Sequence, residues 1–209
     1  MASERLAVLA RPHGRADALR AIDRVRRRFD PRHGAVPAHV TLVFPTAAPR
    51  ADARRHVLGA VLGGAVRCRL GAAELLRTGP RGWYVLLPVD QGAAAVARLH
   101  HALSRPPLAG NRLGTAPFRP HLTVAAGLDL ASARRVRRLA RPSRGAVLTL
   151  TEIELVAWDG RRLRHLAQRA LGRGGPQPGR PQPGRKTGGR FSCQALTPSA
   201  ASSDWMLSE

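Results

Sequence analysis

A four-residue pattern occurs twice in this chain, as His39-Val40-Thr41-Leu42 and as His121-Leu122-Thr123-Val124, 82 residues apart. Each copy lies in a short β-type run, HVTLVFP and HLTVA. Residues two apart on a strand point to the same face. Each copy therefore presents an imidazole beside a hydroxyl, while Val40, Leu42, Leu122 and Val124 face a core. Two copies suggest two similar half-structures opposed across a cleft. Two imidazoles and two hydroxyls around one space are the groups that cleavage of a phosphodiester needs.

The pair HVTL and PHLTV resembles the motifs of the two-histidine phosphoesterases, the group that includes the bacterial 2′-5′ RNA ligase-like proteins and cyclic phosphodiesterases. The context is similar too: HVTLVFP resembles the family's first motif, and PFRPHLTVA its second, with Phe118 and Pro120 ahead of the histidine. GWYVLLPVDQG and the Leu-His helix after it resemble the segment between the motifs. The likeness runs from about Arg5 to Gly172, which makes 1–172 one phosphoesterase-like domain and leaves 173–209 outside it. It implies an α+β fold: a two-lobed body of antiparallel sheets with outer helices, related by a pseudo-twofold axis around a central cleft.

Composition is compatible with that reading. The chain has 209 residues and 44% hydrophobic content, enough for a core, but only 4% aromatics, so the core is mostly Leu, Val and Ala. Formal net charge is +22. The tail from Arg173 holds five basic and two acidic residues, so most of the charge belongs to the folded part. Such a field concentrates polyanions. A single Lys among so many Arg, with abundant Ala, Gly and Pro, also looks like the coding bias of a GC-rich genome. Two cysteines, Cys68 and Cys193, make neither a disulfide framework nor a metal-ligand spacing, and a reducing cytoplasm is the expected compartment. The N-terminal apolar run is too short for a signal peptide or a membrane span.

Periodicity predicts strands at Leu6–Leu9, Ala38–Phe44, Val66–Leu76, Trp83–Val89 and Val147–Trp158. It predicts helices over Gly14–Phe29, Ala51–Leu62 and Gly92–Leu103, and a further helix N-capped by Asp129 and ending near Ala140. Thr78–Gly82 is a turn that makes a hairpin of the strands beside it. Pro106–Pro120 is a long loop delivering the chain to His121. Asp159-Gly160 is a hairpin signal, and Arg162–Arg169 can be written as a returning strand or as a helix. From Gly172 the chain turns to PQPGR repeats without apolar periodicity. Such sequence buries too little surface to offset its ordering entropy, so 173–209 is expected to be disordered.

Consider a 2′,3′-cyclic phosphate in the cleft. Hydrolysis needs a base for water and an acid for the departing ribose oxygen, on opposite sides of phosphorus. Histidine, with a reference pKa of roughly 6.5, suits both tasks. His39 and His121 are the catalytic candidates, and Thr41 and Thr123 are the phosphate-binding ones. Arg119 and Tyr84 are candidates for substrate contact, the latter by stacking on a base. Strand alternation lets only one of Trp83 and Tyr84 face the cleft, and core packing is the expected place for either. Phe44 and Phe118 read as core or cleft wall, and the remaining histidines as surface or core residues.

No metal or cofactor is called for. The expected partner is RNA or a nucleotide with a 2′,3′-cyclic phosphate, the expected state a monomer, and no membrane is involved. The resemblance implies a metal-independent cyclic phosphodiesterase with reversible 2′-5′ RNA ligase activity, acid and base being exchanged between the two directions of ligation. The competing reading is a non-catalytic, basic RNA-binding protein that uses the same cleft as an anion site.

Overall fold

The computed structural model describes residues 4–14, 16–109, 117–160 and 162–172. The reading of 173–209 as a disordered tail lies outside these residues. The elements follow in the order β1 (Arg5–Gly14), α1 (Ala16–Phe29), β2 (Val40–Thr46), α2 (Arg50–Gly59), β3 (Val66–Leu70), β4 (Glu74–Arg77), β5 (Trp83–Gln91), α3 (Ala93–Leu103), β6 (His121–Leu128), α4 (Leu130–Leu139), β7 (Val147–Trp158) and β8 (Leu163–Ala170). Every strand pairing between named strands is antiparallel.

The strands form two sets. One runs β2-β1-β7-β8; the other has β6 beside β5, and β5 beside both β3 and β4. The sets join twice. β3 also pairs with β7 at one side, and β2 meets β6 at the other through the pair Val40↔Leu122. The two His-x-Thr strands are thus the facing inner edges of two lobes. The helices cover the outer faces in exchanged fashion. α1, which leaves β1 of the first lobe, packs on β6 and α4 of the second, while α3, which leaves β5 of the second, packs on β2 of the first. α2 lies on β7 and β8, and α4 on β4, β5 and β6.

A continuous core runs between sheets and helices. It takes Leu6, Val8 and Ala10 from β1, Val40 and Leu42 from β2, Val85 and Leu87 from β5, Leu122 and Val124 from β6, and Ile153 and Leu155 from β7. The residues alternating with these point the other way, into the cleft. There they form two small apolar clusters, Ala7, Leu9, Val156 and Leu163 in one lobe and Tyr84, Leu86 and Ala126 in the other.

Several boundaries differ from those the sequence predicts. β1 continues to Gly14 because β7 pairs with it along its whole length, from Arg5↔Trp158 to Gly14↔Leu148; α1 accordingly starts at Ala16. The single strand predicted over Val66–Leu76 is two strands. Gly71 sits so close to Asp90 that a Cβ there would lie 2.4 Å from its Oδ1, and the Gly71 amide donates to the Pro88 carbonyl at 2.8 Å. That contact steps the chain from β3, shared with β7, to the β4–β5 hairpin. α2 stops at Gly59 rather than Leu62, where Arg169 donates to the carbonyls of Val57 and Ala60. The segment after Asp159-Gly160 returns as a strand, its turn closed by the Arg162 amide on Asp159 Oδ1 at 2.8 Å. Asp129 caps α4 by accepting from the Ser132 amide, also at 2.8 Å.

Candidate active site

The β2–β6 seam sets the geometry. With Val40 opposite Leu122, one further step of register in each direction puts His39 opposite Thr123 and Thr41 opposite His121. All four residues are half-buried, between neighbours that are fully buried. They form a small square in which each imidazole stands beside the other lobe's hydroxyl. Directly opposed Cβ atoms on paired strands are about 4.5–5.5 Å apart and diagonal ones about 7–8 Å. His39 and His121 occupy a diagonal, and a charge on His121 is felt at His39.

Both rings are held in the same way. His39 Nδ1 donates to the Pro37 carbonyl at 2.7 Å, and His121 Nδ1 donates to the Arg119 carbonyl at 2.8 Å. A carbonyl only accepts, so each bond requires the proton on Nδ1 and leaves Nε2 as the nitrogen that exchanges a proton with a ligand. The carbonyl two residues upstream is available because a proline-bearing segment outside helix and strand leads into each strand. In the second lobe that segment is fixed by the Val89 amide on the Pro120 carbonyl at 2.9 Å. In the first, the buried Arg26 donates to Asp30 at 2.7 Å and to the Val36 carbonyl at 2.6 Å.

Across each sheet the rows continue in parallel. Thr41 lies beside Leu9, and Leu9 beside Glu154; Thr123 lies beside Leu86, and Leu86 beside Glu74. Each row reaches a glutamate that holds an arginine: Glu154 accepts from Arg11 at 2.8 Å, and Glu74 from Arg119 at 3.2 Å. The histidine rows differ. His121 lies beside Pro88, whereas the register of β1 with β2 brings Arg11 beside His39. Among the described residues, Arg11 Nε is buried without a hydrogen-bond partner.

This asymmetry appears in the protonation of the pair. Burial pushes His39 down to about 4; the Pro37 carbonyl opposes the shift, and the charges of Arg26, Arg11 and His121 add to it. His121 is also lowered, by burial first, with the Arg119 carbonyl opposing and Glu74 restoring part of what the Arg119 cation removes. Desolvation disfavours the charged imidazole in both, and the extra cations act on His39.

The predicted residues thus divide. His39, Thr41, His121 and Thr123 come together at the seam. Arg119 stands at the rim with its guanidinium on Glu74, and its carbonyl orients His121. Tyr84 lies on the cleft face, buried in a small apolar cluster with Leu86 and Ala126, while Trp83, partly buried, packs against the main core; both are packed, as expected, and on opposite faces of β5. Phe118 stacks on His100 at 4.0 Å and meets Phe44 edge-on at 6.4 Å, and His100 Nδ1 donates to the Leu42 carbonyl at 2.6 Å. That group ties α3 and the entry to β6 onto the first motif strand. Arg11 and Glu154 escaped sequence reading. Their signal, charged residues inside two otherwise apolar strands, has meaning only once β1 is known to lie between β2 and β7.

Two antiparallel lobes that oppose a His-x-Thr strand each, with both imidazoles turned on one seam, define a two-histidine phosphoesterase. The model of the 2′-5′ RNA ligase superfamily matches residues 12–162, and the chain belongs to that superfamily. Among solved structures it is similar to apo LigT of E. coli, with 21% identity over 81% of this chain and 98% of that one at a TM-score of 0.51. It is similar also to a protein described as a phosphoesterase, with 19% identity over 81% and 99% at a TM-score of 0.54. E. coli LigT complexed with 3′-AMP gives 19% identity over 80% and 98% at 0.51. No curated protein matches the chain.

Proposed function

We propose that this protein is a metal-independent phosphoesterase that opens 2′,3′-cyclic phosphates at RNA ends or on nucleotides, and that the same cleft, with a 5′-hydroxyl in place of water, joins RNA ends by a 2′-5′ bond. The observation that carries the reading is the square of two Nδ1-anchored imidazoles and two hydroxyls at the β2–β6 seam. Water oxygen bonds to phosphorus as the bond to one ribose oxygen breaks. One Nε2 takes the proton from water, and the other gives its proton to the leaving oxygen. Each transfer is typically worth about 10²–10⁴ in rate. Thr41 and Thr123 donate to the phosphoryl oxygens, where charge redistributes.

The cations near His39 favour the neutral ring and so suit it to act as base in hydrolysis. His121, with Glu74 in reach, is better placed to enter protonated. Arg11, beside His39, supplies a fixed positive charge for the phosphate. The 3′-AMP complex of LigT, a member of the same fold, is in keeping with a nucleotide occupant.

The experiment is hydrolysis of an oligoribonucleotide ending in a 2′,3′-cyclic phosphate, in excess chelator. The expected outcome is a single linear phosphate isomer, with kcat reduced at least about 10²-fold by His39→Ala and by His121→Ala. Binding of the same RNA without turnover would instead favour the non-catalytic RNA-binding protein.

A further inference from the structure

α1 and α4 come from different halves of the chain, yet they pack side by side on the second lobe, and α1 also touches the turn at Arg141–Ser143. Their outward faces carry Arg20, Arg24, Arg27 and Arg28 on α1 and Arg134, Arg135, Arg137 and Arg138 on α4, all exposed. Arg141 and Arg144 extend the strip beyond α4. Acidic relief is small: Asp17 stands exposed in the first turn of α1, Asp23 accepts from both Arg27 and His33, and Asp129 is engaged by Ser132 as the cap of α4.

A coding bias toward arginine would load every exposed helix alike, and the molecule contains its own control. α2 and α3, of similar combined length on the other lobe, expose four arginines, Arg50, Arg54, Arg55 and Arg98, against eight on α1 and α4. Of those four, Arg50 is bridged to Glu4 and Arg55 to Asp52. Among the helices, the concentration of charge is therefore a property of one lobe. The strip is also tied to the cleft. Arg26, on the inner side of α1, holds the Val36 carbonyl in the segment that delivers His39.

We infer that the α1–α4 face is a docking surface for the phosphate backbone of an RNA chain whose cyclic-phosphate end enters the cleft. The inference rests on the function proposed above and adds to it a surface outside the cleft that holds the backbone of a long RNA. Arg134 and Arg138 stand at i and i+4 on α4, about 6 Å apart along its axis, and Arg141 follows in the turn beyond it. Backbone contacts of this kind give affinity without base readout, and each releases condensed counterions. The slope of log K against log salt is about −0.7 per phosphate for a single strand.

The test uses the full chain and a single-stranded RNA of about thirty nucleotides, with binding read by fluorescence anisotropy from 50 to 200 mM salt. The variant Arg24→Gln/Arg28→Gln/Arg134→Gln/Arg138→Gln/Arg141→Gln alters exposed side chains on the strip. Arg54→Gln/Arg55→Gln/Arg98→Gln is the control on the other lobe. Five lost contacts flatten the slope by about 3.5, which removes roughly a hundredfold of the salt-dependent change across that range. The control leaves the slope within about one unit. Turnover of a 2′,3′-cyclic mononucleotide, measured separately, stays unchanged in both, because neither variant touches the cleft. Equal loss of RNA binding in the control and the strip variant would overturn the inference and leave only diffuse charge. So would strip-dependent binding to vesicles of anionic phospholipid with none to RNA. A wild-type protein that binds RNA through the strip but turns over no cyclic phosphate would retain the docking surface and remove the proposed reaction.

Discussion

The proposed chemistry rests on four side chains and on two carbonyls that hold two of them. Because Nδ1 of each histidine is committed to backbone, the reactive nitrogen is the same on both sides of the seam. Burial leaves both rings neutral more readily than free histidine, with His39 down at about 4. A base must be neutral and an acid protonated, so kcat/KM for hydrolysis should rise as pH climbs through about 4 and fall as it climbs through the value of His121, which lies below the usual 6.5. The expected profile is a bell on the acid side of neutrality. Bound phosphate favours the charged rings, so the kcat profile should lie at higher pH than that of kcat/KM. A kcat/KM bell centred above pH 7 would contradict the assignment. The same depression links to stability. Neutral His39 suits the fold, so its contribution is present above about 6.5 and is lost as pH falls toward about 4. His39→Gln should remove that part of the acid destabilisation in urea unfolding curves.

At the scale of elements, the segment between α1 and β2 positions His39 and depends on one buried ion pair. Arg26 and Asp30 are 2% and 7% exposed, and Arg26 also serves the Val36 carbonyl. Removing the cation strands a carboxylate in the interior. Arg26→Met is expected to cost about 3–5 kcal/mol in chemical denaturation and, by taking a positive charge from the neighbourhood of His39, to move the acid limb of kcat/KM upward. A turn gives a second measurement. Gly82 has φ +83°, and a Cβ there would lie 2.5 Å from the Leu128 carbonyl oxygen. Gly82→Ala should therefore destabilise the β4–β5 hairpin by more than the ~1 kcal/mol of an ordinary Gly→Ala exchange. Leu122, fully buried at the seam, should cost about 2–5 kcal/mol on truncation to Ala.

For the molecule as a whole, the doubled His-x-Thr pattern was legible because a period of two is written locally: alternation alone puts each hydroxyl beside its imidazole and Val40 and Leu122 inside. The α+β class was legible for the same reason. What could not be read depends on neighbours distant in the chain. The break at Gly71 comes from Asp90 pressing on it, and the added length of β1 comes from β7. Arg11 faces His39 only because β1 separates β2 from β7. The arginines of α1 and α4 each looked like one solvated helix face; they become one surface because the two lobes exchange helices. Among the described residues, no helix is long and apolar enough to cross a membrane.

The central claim is that His39 and His121 act on one phosphate. The direct measurement is the nitrogen chemical shift of every histidine ring by NMR while 3′-AMP is titrated into the chelated protein. The expected result is that the Nε2 resonances of His39 and His121 move together along a single binding isotherm, and that both rings titrate at higher pH in the complex. Movement of one ring without the other, or two isotherms with separate midpoints, would mean that the imidazoles do not share an anion.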